Sequence, residues 1–227
     1  MKDGGEFQII PVSDLSDEEM SDMLECSHDD VMNSPDQIMD MLDFANRALW
    51  LVGEINRSNS TQIIRKILRW NMDDAGLSAD ERQPIFIYIN SNGGDITGSF
   101  ALYDVIRASK TPVYGINIGY AFSGAFYMLL ACHKRLGTKR SWYMMHRGSG
   151  ENPGLDHLSS FRAQKQWDAQ VEDMYDMITE RTTIPRSVAE NYMLTDTYFN
   201  AKDAKTAGII DAIIDNIDDI LPQERNE

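Results

Sequence analysis

The chain has 227 residues, a formal net charge of −15 and two cysteines, Cys26 and Cys132. This length suits one large domain or a domain with an extension, and two cysteines cannot build a disulfide framework. We expect no signal peptide, because the first residues lack a basic segment followed by an apolar one, and the apolar stretches are too short to span a membrane. The acidic balance disfavours binding to nucleic acid phosphates. The composition therefore predicts a cytoplasmic protein that acts on neither membranes nor nucleic acids.

The negative charge is concentrated at the start of the chain. Residues 1–44 contain 13 acidic residues and a single basic residue, Lys2. Like charges at this density oppose compaction, so residues 1–45 are interpreted as an acidic extension, either a solvating tail or a docking arm. Residues 46–214 form the predicted main domain, and residues 215–227 form a second acidic tail.

From Ala48 onward, short apolar runs alternate with segments of helical periodicity. The runs predict strands at 49–52, 85–89, 113–118, 142–145 and 209–214. The periodic segments predict helices around 63–68, 96–106, 126–132, 155–181 and 201–207, with a further helix starting at Pro185. Residues 90–95, with the sequence Asn-Ser-Asn-Gly-Gly-Asp, are interpreted as a turn. This alternation predicts an α/β fold with a mainly parallel sheet.

The longest helical pattern runs from Leu155 to Arg181. Large apolar side chains form a wide stripe along it, at Leu158, Phe161, Trp167, Val171, Met174, Tyr175 and Ile178. A stripe of this kind either faces the core of its own chain or packs against another subunit. The second interpretation predicts a homo-oligomer.

Two predicted strand-to-helix turns carry residues suited to acyl transfer. Ser123 lies among small residues where a helix begins, so either its hydroxyl is a nucleophile beside free helix N–H groups or it simply caps the helix. Gly94 follows another buried strand, and its N–H either stabilises an oxyanion or belongs to an ordinary turn. Both turns are expected at the same edge of a parallel sheet, where ligand sites collect.

A nucleophilic serine needs a base, and His146 is the histidine best placed for that role. It follows the predicted strand 142–145, which should deliver it to the same edge of the sheet. Asp196 is the candidate carboxylate that orients this histidine, although periodicity alone does not distinguish it among 36 acidic residues. The sequence contains no zinc-like cluster, P-loop or dinucleotide fingerprint, so we expect no metal and no cofactor.

Four blocks together resemble the proteolytic subunit of Clp protease. They are IYINSNGG (87–94), GYAFSG (119–124), MMH (144–146), and Asp196 followed by AKDAKTAGIID (201–211). The resemblance implies a crotonase-like α/β fold and a serine peptidase that cleaves peptides or unfolded proteins inside stacked seven-membered rings. It also implies that Ser123 is the nucleophile, His146 the general base and Asp196 its orienting carboxylate. The N–H groups of Gly94 and Gly124 would form the oxyanion hole, and the helix 155–181 would be a protruding handle through which rings meet.

The chain departs from the pattern of this family at several positions. Asn92 stands where the family usually has proline, and Gly124 where methionine commonly follows the nucleophile. The acidic leader has no evident match to the family's N-terminal segment, which contacts an ATP-dependent unfoldase, so this departure argues against an unfoldase partner but not against the peptidase chemistry. Two alternative functions remain at this stage: an acyl-CoA enzyme of the crotonase superfamily, and a non-catalytic ring subunit.

Overall fold

A computed structural model of the chain describes residues 35–148 and 156–221. The described residues belong to two units that divide after Ala45. The first contains helix α1 (Pro35–Ala45), whose apolar side chains Ile38, Met39, Met41 and Leu42 are exposed. The second begins at Asn46. No helix within the described residues is long and apolar enough to cross a membrane.

The larger unit is built on a seven-stranded sheet. Its strands are β1 (Ala48–Ile55), β2 (Ile85–Gly94), β3 (Val113–Phe122), β4 (Lys134–Gly137), β5 (Trp142–Met145), β6 (Thr197–Asn200) and β7 (Ala212–Ile213). The strand order is β1-β2-β3-β4-β7, with every neighbour parallel, while β5 pairs with β3 in parallel and β6 pairs with β5 antiparallel. The predicted α/β fold with a mainly parallel sheet is confirmed.

Helices connect the strands and cover the sheet. They are α2 (Arg57–Asp73), α3 (Ile96–Ala108), α4 (Gly124–Ala131), α5 (His157–Arg181), α6 (Arg186–Tyr192) and α7 (Ala201–Thr206). Short 3₁₀ turns lie at Ala79–Glu81 and Ile217–Ile220. Side chains before four of the helices accept hydrogen bonds from first-turn N–H groups, which fixes where each helix begins: Asn56, Asp95, Asp156 and Asn200.

Some of the predicted boundaries differ from those observed. Residues 90–94, interpreted as a turn, continue β2, because Ser91 pairs with Gly53 and Gly94 pairs with Ile55 of β1. The short strands β4 and β6 were not predicted, because KRLG and TYFN lack the continuous apolar run of the equally short β5. The last strand is also shorter than the predicted 209–214, because only residues 212 and 213 pair with β4.

Strand β3 changes partner along its length. Its residues 114–117 pair with β4, and its residues 120–122 pair with β5. At the fork, Asn117 Nδ2 donates to the carbonyl of Trp142 (2.9 Å), and Asn90 Oδ1 accepts from the N–H of Tyr120 (3.2 Å). These side-chain amides satisfy main-chain groups where regular pairing is interrupted. The first contact holds β5 against β3, and the second joins β2 to β3 near the end of β3, shortly before α4 begins.

Helix α4 forms the centre of the core. All eight of its residues are buried, and it contacts α3, α5, β2 and β3. Close packing on every side leaves such a helix little freedom to shift. The residue that precedes α4 is therefore held in a rigid frame.

A buried ion pair links the start of β1 to the end of α2. Arg47 donates two hydrogen bonds to the carboxylate of Asp74 (2.6 and 2.7 Å), and Thr111 Oγ1 donates a third (2.7 Å). Burial alone raises the pKa of Asp74, but these hydrogen bonds and the charge of Arg47 outweigh it, so the pKa lies below its ordinary value of 3.8. The carboxylate is thus stabilised by folding.

We expect Asp74→Asn to lower the free energy of unfolding by about 3–5 kcal/mol, because it leaves the charge of Arg47 buried without a carboxylate to neutralise it. Since folding depresses the pKa of Asp74, its contribution to stability is complete above pH 3.8 and is lost as the pH falls through the lower, folded-state pKa. Urea unfolding followed by tryptophan fluorescence, repeated between pH 7 and pH 3, measures both effects.

The matched control is Asp73→Asn, which removes the neighbouring carboxylate from an exposed pair with Arg69. Exposed pairs contribute only about 0–1 kcal/mol, so this variant should unfold almost as the wild type does. Equal losses in the two variants would contradict the role given to the buried pair.

Candidate active site

Ser123 occupies the junction between β3 and α4 in a strained backbone conformation, with φ 52° and ψ −121°. Its N–H donates to the carbonyl of Met144 in β5 (2.9 Å), which ties the junction to the neighbouring strand. Its hydroxyl makes no capping hydrogen bond to α4. Instead, Ser123 Oγ lies 2.8 Å from His146 Nε2. Of the two interpretations of this serine, the structure thus favours the one in which its hydroxyl faces a base.

His146 follows directly after β5, as the sequence predicted, and its other ring nitrogen faces Asp196. The distance from His146 Nδ1 to Asp196 Oδ1 is 2.8 Å. The antiparallel register explains this contact. Because Met145 pairs with Thr197, His146 lies opposite Asp196. The hydroxyl of Tyr198 also approaches Asp196 Oδ2 (3.4 Å). The predicted serine, histidine and aspartate therefore form one continuous hydrogen-bonded chain.

The two predicted glycines lie beside this chain. Gly124 is the first residue of α4, where helix N–H groups have no partner within the helix, and Gly94 ends β2. Both line the same cavity as Ser123 and His146. Gly94 has a φ of +147°, and a Cβ there would collide with the carbonyl oxygen of Ile55. Only glycine fits this position.

Gly93 has a role that the sequence analysis did not assign to it. With a φ of +88°, it packs so closely on the serine turn that a Cβ would lie 2.6 Å from the carbonyl oxygen of Phe122 and 2.7 Å from the N–H nitrogen of Gly124. The paired glycines were visible in the sequence. Their contact with a turn some thirty residues away was not, because it depends on how β2 and β3 align.

The cavity beside Ser123 has a volume of about 530 Å³. Part of the lining comes from the β2–α3 connection, and another part comes from one face of α5, at Ala163, Gln166, Trp167, Gln170 and Met174. The sequence predicted that the apolar stripe on this helix faces the core or another subunit. Two of its residues, Trp167 and Met174, line the cavity. By contrast, Leu158 and Phe161 in the first turns of α5 are 55% and 54% exposed.

Cys132 and His133, another cysteine and another histidine of the described residues, lie in other surroundings. Cys132 is fully buried, and burial raises the pKa of its thiol to about 12. His133 Nδ1 accepts a hydrogen bond from the N–H of Val113 (3.1 Å). Within residues 35–148 and 156–221, no group of three or more His, Cys, Asp or Glu residues could hold a metal ion. Cys26 and His28 lie outside the described residues.

Comparison with known proteins identifies the family of the chain. A family model described as Clp protease matches residues 32–217. ATP-dependent Clp protease proteolytic subunit 2 of Treponema denticola is 33% identical over 183 residues, which are 79% of this chain and 88% of that protein. The ATP-dependent Clp protease proteolytic subunit of Pleurastrum terricola is 30% identical over 174 residues, or 75% and 84% of the two chains. Subunit 2 from Prochlorococcus marinus is 28% identical over 80% of this chain and 85% of its own length.

These matches extend across the strands and helices that build the cavity, and the mainly parallel α/β sheet is the one expected for the family. The resemblance drawn from four short blocks is thereby confirmed over most of the chain. The chain belongs to the Clp protease proteolytic subunit family.

Proposed function

We propose that the protein is a serine endopeptidase that cleaves peptide bonds through an acyl-enzyme intermediate. The observation that carries the proposal is the chain of two 2.8 Å contacts that runs from Ser123 Oγ through the imidazole of His146 to Asp196. A nucleophile bonded to a base that is itself oriented by a carboxylate is the arrangement that activates serine for acyl transfer.

In the first half of the reaction, Ser123 Oγ attacks the carbonyl carbon of the scissile bond and gives its proton to His146 Nε2. The carbonyl oxygen becomes an oxyanion that accepts hydrogen bonds from the N–H groups of Gly94 and Gly124. When the tetrahedral intermediate collapses, the C–N bond breaks and the departing amine takes the proton from His146. Asp196 accepts a hydrogen bond from Nδ1 throughout and stabilises the imidazolium that forms.

In the second half, water replaces the departed amine. His146 removes a proton from that water, which attacks the acyl carbon, and the same two N–H groups hold the second oxyanion. Collapse then releases the carboxylic acid and returns the proton to Ser123 Oγ. The rigid, strained serine turn supports both halves, because the nucleophile and the N–H of Gly124 occupy adjacent positions on one fixed segment.

The assembly proposed for the chain is a homo-oligomer of seven-membered rings, with the sites facing an enclosed chamber. The exposed Leu158 and Phe161 on α5 support this proposal, because they offer an apolar surface for a second copy. The relatives are named as ATP-dependent, so an unfoldase partner that feeds unfolded protein is part of the same proposal. Sedimentation of the purified chain, alone and with an unfoldase, tests the assembly.

Labelling with a fluorophosphonate tests the chemistry directly. We expect one label per chain, located at Ser123 by peptide mapping, together with hydrolysis of fluorogenic peptides. Binding of a CoA ester without labelling would instead favour an acyl-CoA enzyme. Ring formation with neither labelling nor hydrolysis would favour a non-catalytic subunit.

Gly93→Ala should lower kcat by about a hundredfold, the effect expected when one oxyanion donor is lost. The added Cβ would press against the N–H nitrogen of Gly124 and the carbonyl of Phe122, so the serine turn must move away from β2. Steady-state hydrolysis of a fluorogenic peptide measures the change.

The control for this prediction is Gly76→Ala. Gly76 has a similar positive φ of +96°, but a Cβ there meets nothing within 4 Å. This variant carries the same kind of backbone strain without the collision, and its kcat should stay within twofold of the wild type. Similar activity losses in both variants would show that strain alone, and not displacement of the oxyanion donor, lowers the rate.

A further inference from the structure

Tyr127 is a buried tyrosine in α4 that takes no part in the mechanism described above. It lies one turn after Ser123 and is 2% exposed. Its hydroxyl donates a hydrogen bond to the main-chain carbonyl oxygen of His146 (2.9 Å) and lies 3.8 Å from the sulfur of Met193. Burial raises the pKa of Tyr127, so the hydroxyl remains a donor across the working pH range.

The segment that carries His146 has left the sheet and needs other support. The ladder between β5 and β6 ends with the pair of Met145 and Thr197. Beyond it, the carbonyl of His146 is held by Tyr127, and the N–H of Arg147 donates to the carbonyl of Met193 (3.2 Å). The main chain at His146 and Arg147 is therefore held from two sides, by Tyr127 of α4 and by Met193, which directly follows α6.

The same helix thus positions both partners of the first proton transfer. Ser123 directly precedes α4, and Tyr127 reaches His146 from its first turn. All of α4 is buried and closely packed. A hydrogen bond made from this helix therefore holds the main chain of His146 at a fixed distance from Ser123. An error of about 1 Å in the placement of a catalytic group can cost about a hundredfold in rate.

We propose that Tyr127 is a positioning residue, whose hydroxyl fixes the main chain of His146 so that Nε2 stays within hydrogen-bonding distance of Ser123. The inference rests on the proposed peptidase function. Tyr127 lines the cavity beside Ser123, but its hydroxyl is bonded to the main chain of His146 and is not free to bind a peptide. Its loss should therefore lower kcat and leave KM almost unchanged.

The test is Tyr127→Phe, which removes one oxygen atom and keeps the ring in its packing against Phe126. We expect kcat for a fluorogenic peptide to fall about tenfold, less than for complete misplacement, with KM within twofold of the wild type. The rate of fluorophosphonate labelling should fall by a similar factor, because it depends on the same activated serine.

The matched control is Tyr143→Phe. Tyr143 lies on β5, is fully buried, and its hydroxyl forms a hydrogen bond with Ser141 Oγ (2.9 Å). Both variants lose one buried hydroxyl, so both should show a similar decrease in urea midpoint. The control should keep kcat within twofold, because its lost hydrogen bond does not touch the base.

Three outcomes would overturn the inference: Tyr127→Phe keeps full kcat, it raises KM with kcat unchanged, or it loses no more activity than the control. Ser123→Ala in the same assays separates these results from failure of the proposed function. If the wild type is active and Ser123→Ala is inactive, a Tyr127→Phe variant with the kcat of the wild type refutes only the positioning role. If the wild type neither labels nor hydrolyses peptide, the peptidase proposal fails and the positioning role fails with it.

Discussion

Ser123→Ala should lower the rate of peptide hydrolysis by a factor of about a thousand or more, because it removes the proposed nucleophile of the acyl-enzyme mechanism. Alanine keeps the Cβ, so the strained backbone at φ 52° is preserved and the change removes only Oγ. Labelling by a fluorophosphonate should disappear at the same time. Hydrolysis of a fluorogenic peptide and mass spectrometry of the labelled protein measure the two losses.

Because the hydroxyl of Ser123 does not cap α4, its removal should leave the fold and the oligomeric state unchanged. Ser109→Ala is a suitable control. Ser109 is a buried serine at the C-terminal end of α3, and its hydroxyl donates to the carbonyl of Thr111 (2.6 Å). That variant should remain fully active. If Ser123→Ala hydrolyses and labels as the wild type does, Ser123 is not the nucleophile.

The sequence predicted the parts of the site that a single strand or turn determines. The end of β5 at His146 and the placement of Ser123 between a strand and a helix follow from local apolar runs and small residues. Asp196 is different, because its position depends on β6, whose sequence TYFN is not a continuous apolar run. Only the resemblance to a family singled out that carboxylate among many.

Contacts between distant segments account for what the sequence analysis missed. Gly93 touches the serine turn only because β2 and β3 align as they do, and Tyr127 reaches His146 only because α4 packs against β5. Both residues look ordinary in the sequence, a turn glycine and a core aromatic. The residues of α5 that line the cavity were likewise not predicted, because their position depends on tertiary packing.

Three separate segments meet in the hydrogen-bonded chain, and each is fixed to one of two neighbouring strands, β5 and β6. The N–H of Ser123 bonds to β5, His146 follows β5, and Asp196 precedes its antiparallel neighbour β6. A site assembled in this way depends on local strand pairing rather than on flexible loops. Preorganisation of this kind lowers the reorganisation that each proton transfer requires.

Asp196→Asn should lower kcat by about a thousandfold to ten-thousandfold while changing the fold little. The amide of asparagine can donate to His146 Nδ1, which favours the imidazole tautomer that carries its proton on Nε2. That tautomer cannot accept the proton of Ser123, although the distances in the site remain almost the same. Asp196 is 53% exposed, so its neutralisation should cost little stability. Peptide hydrolysis and thermal unfolding of the same preparation test both statements.

Asp203→Asn is the control. Asp203 is an exposed carboxylate of α7, and its substitution also removes one negative charge from this part of the chain. Its kcat should match that of the wild type, because no contact joins Asp203 to the imidazole. A loss of less than tenfold in Asp196→Asn would mean that His146 keeps its reactive tautomer without this carboxylate. In that case Asp196 would be a neighbour of the base and not its orienting partner, and the proposed catalytic chain would be reduced to Ser123 and His146.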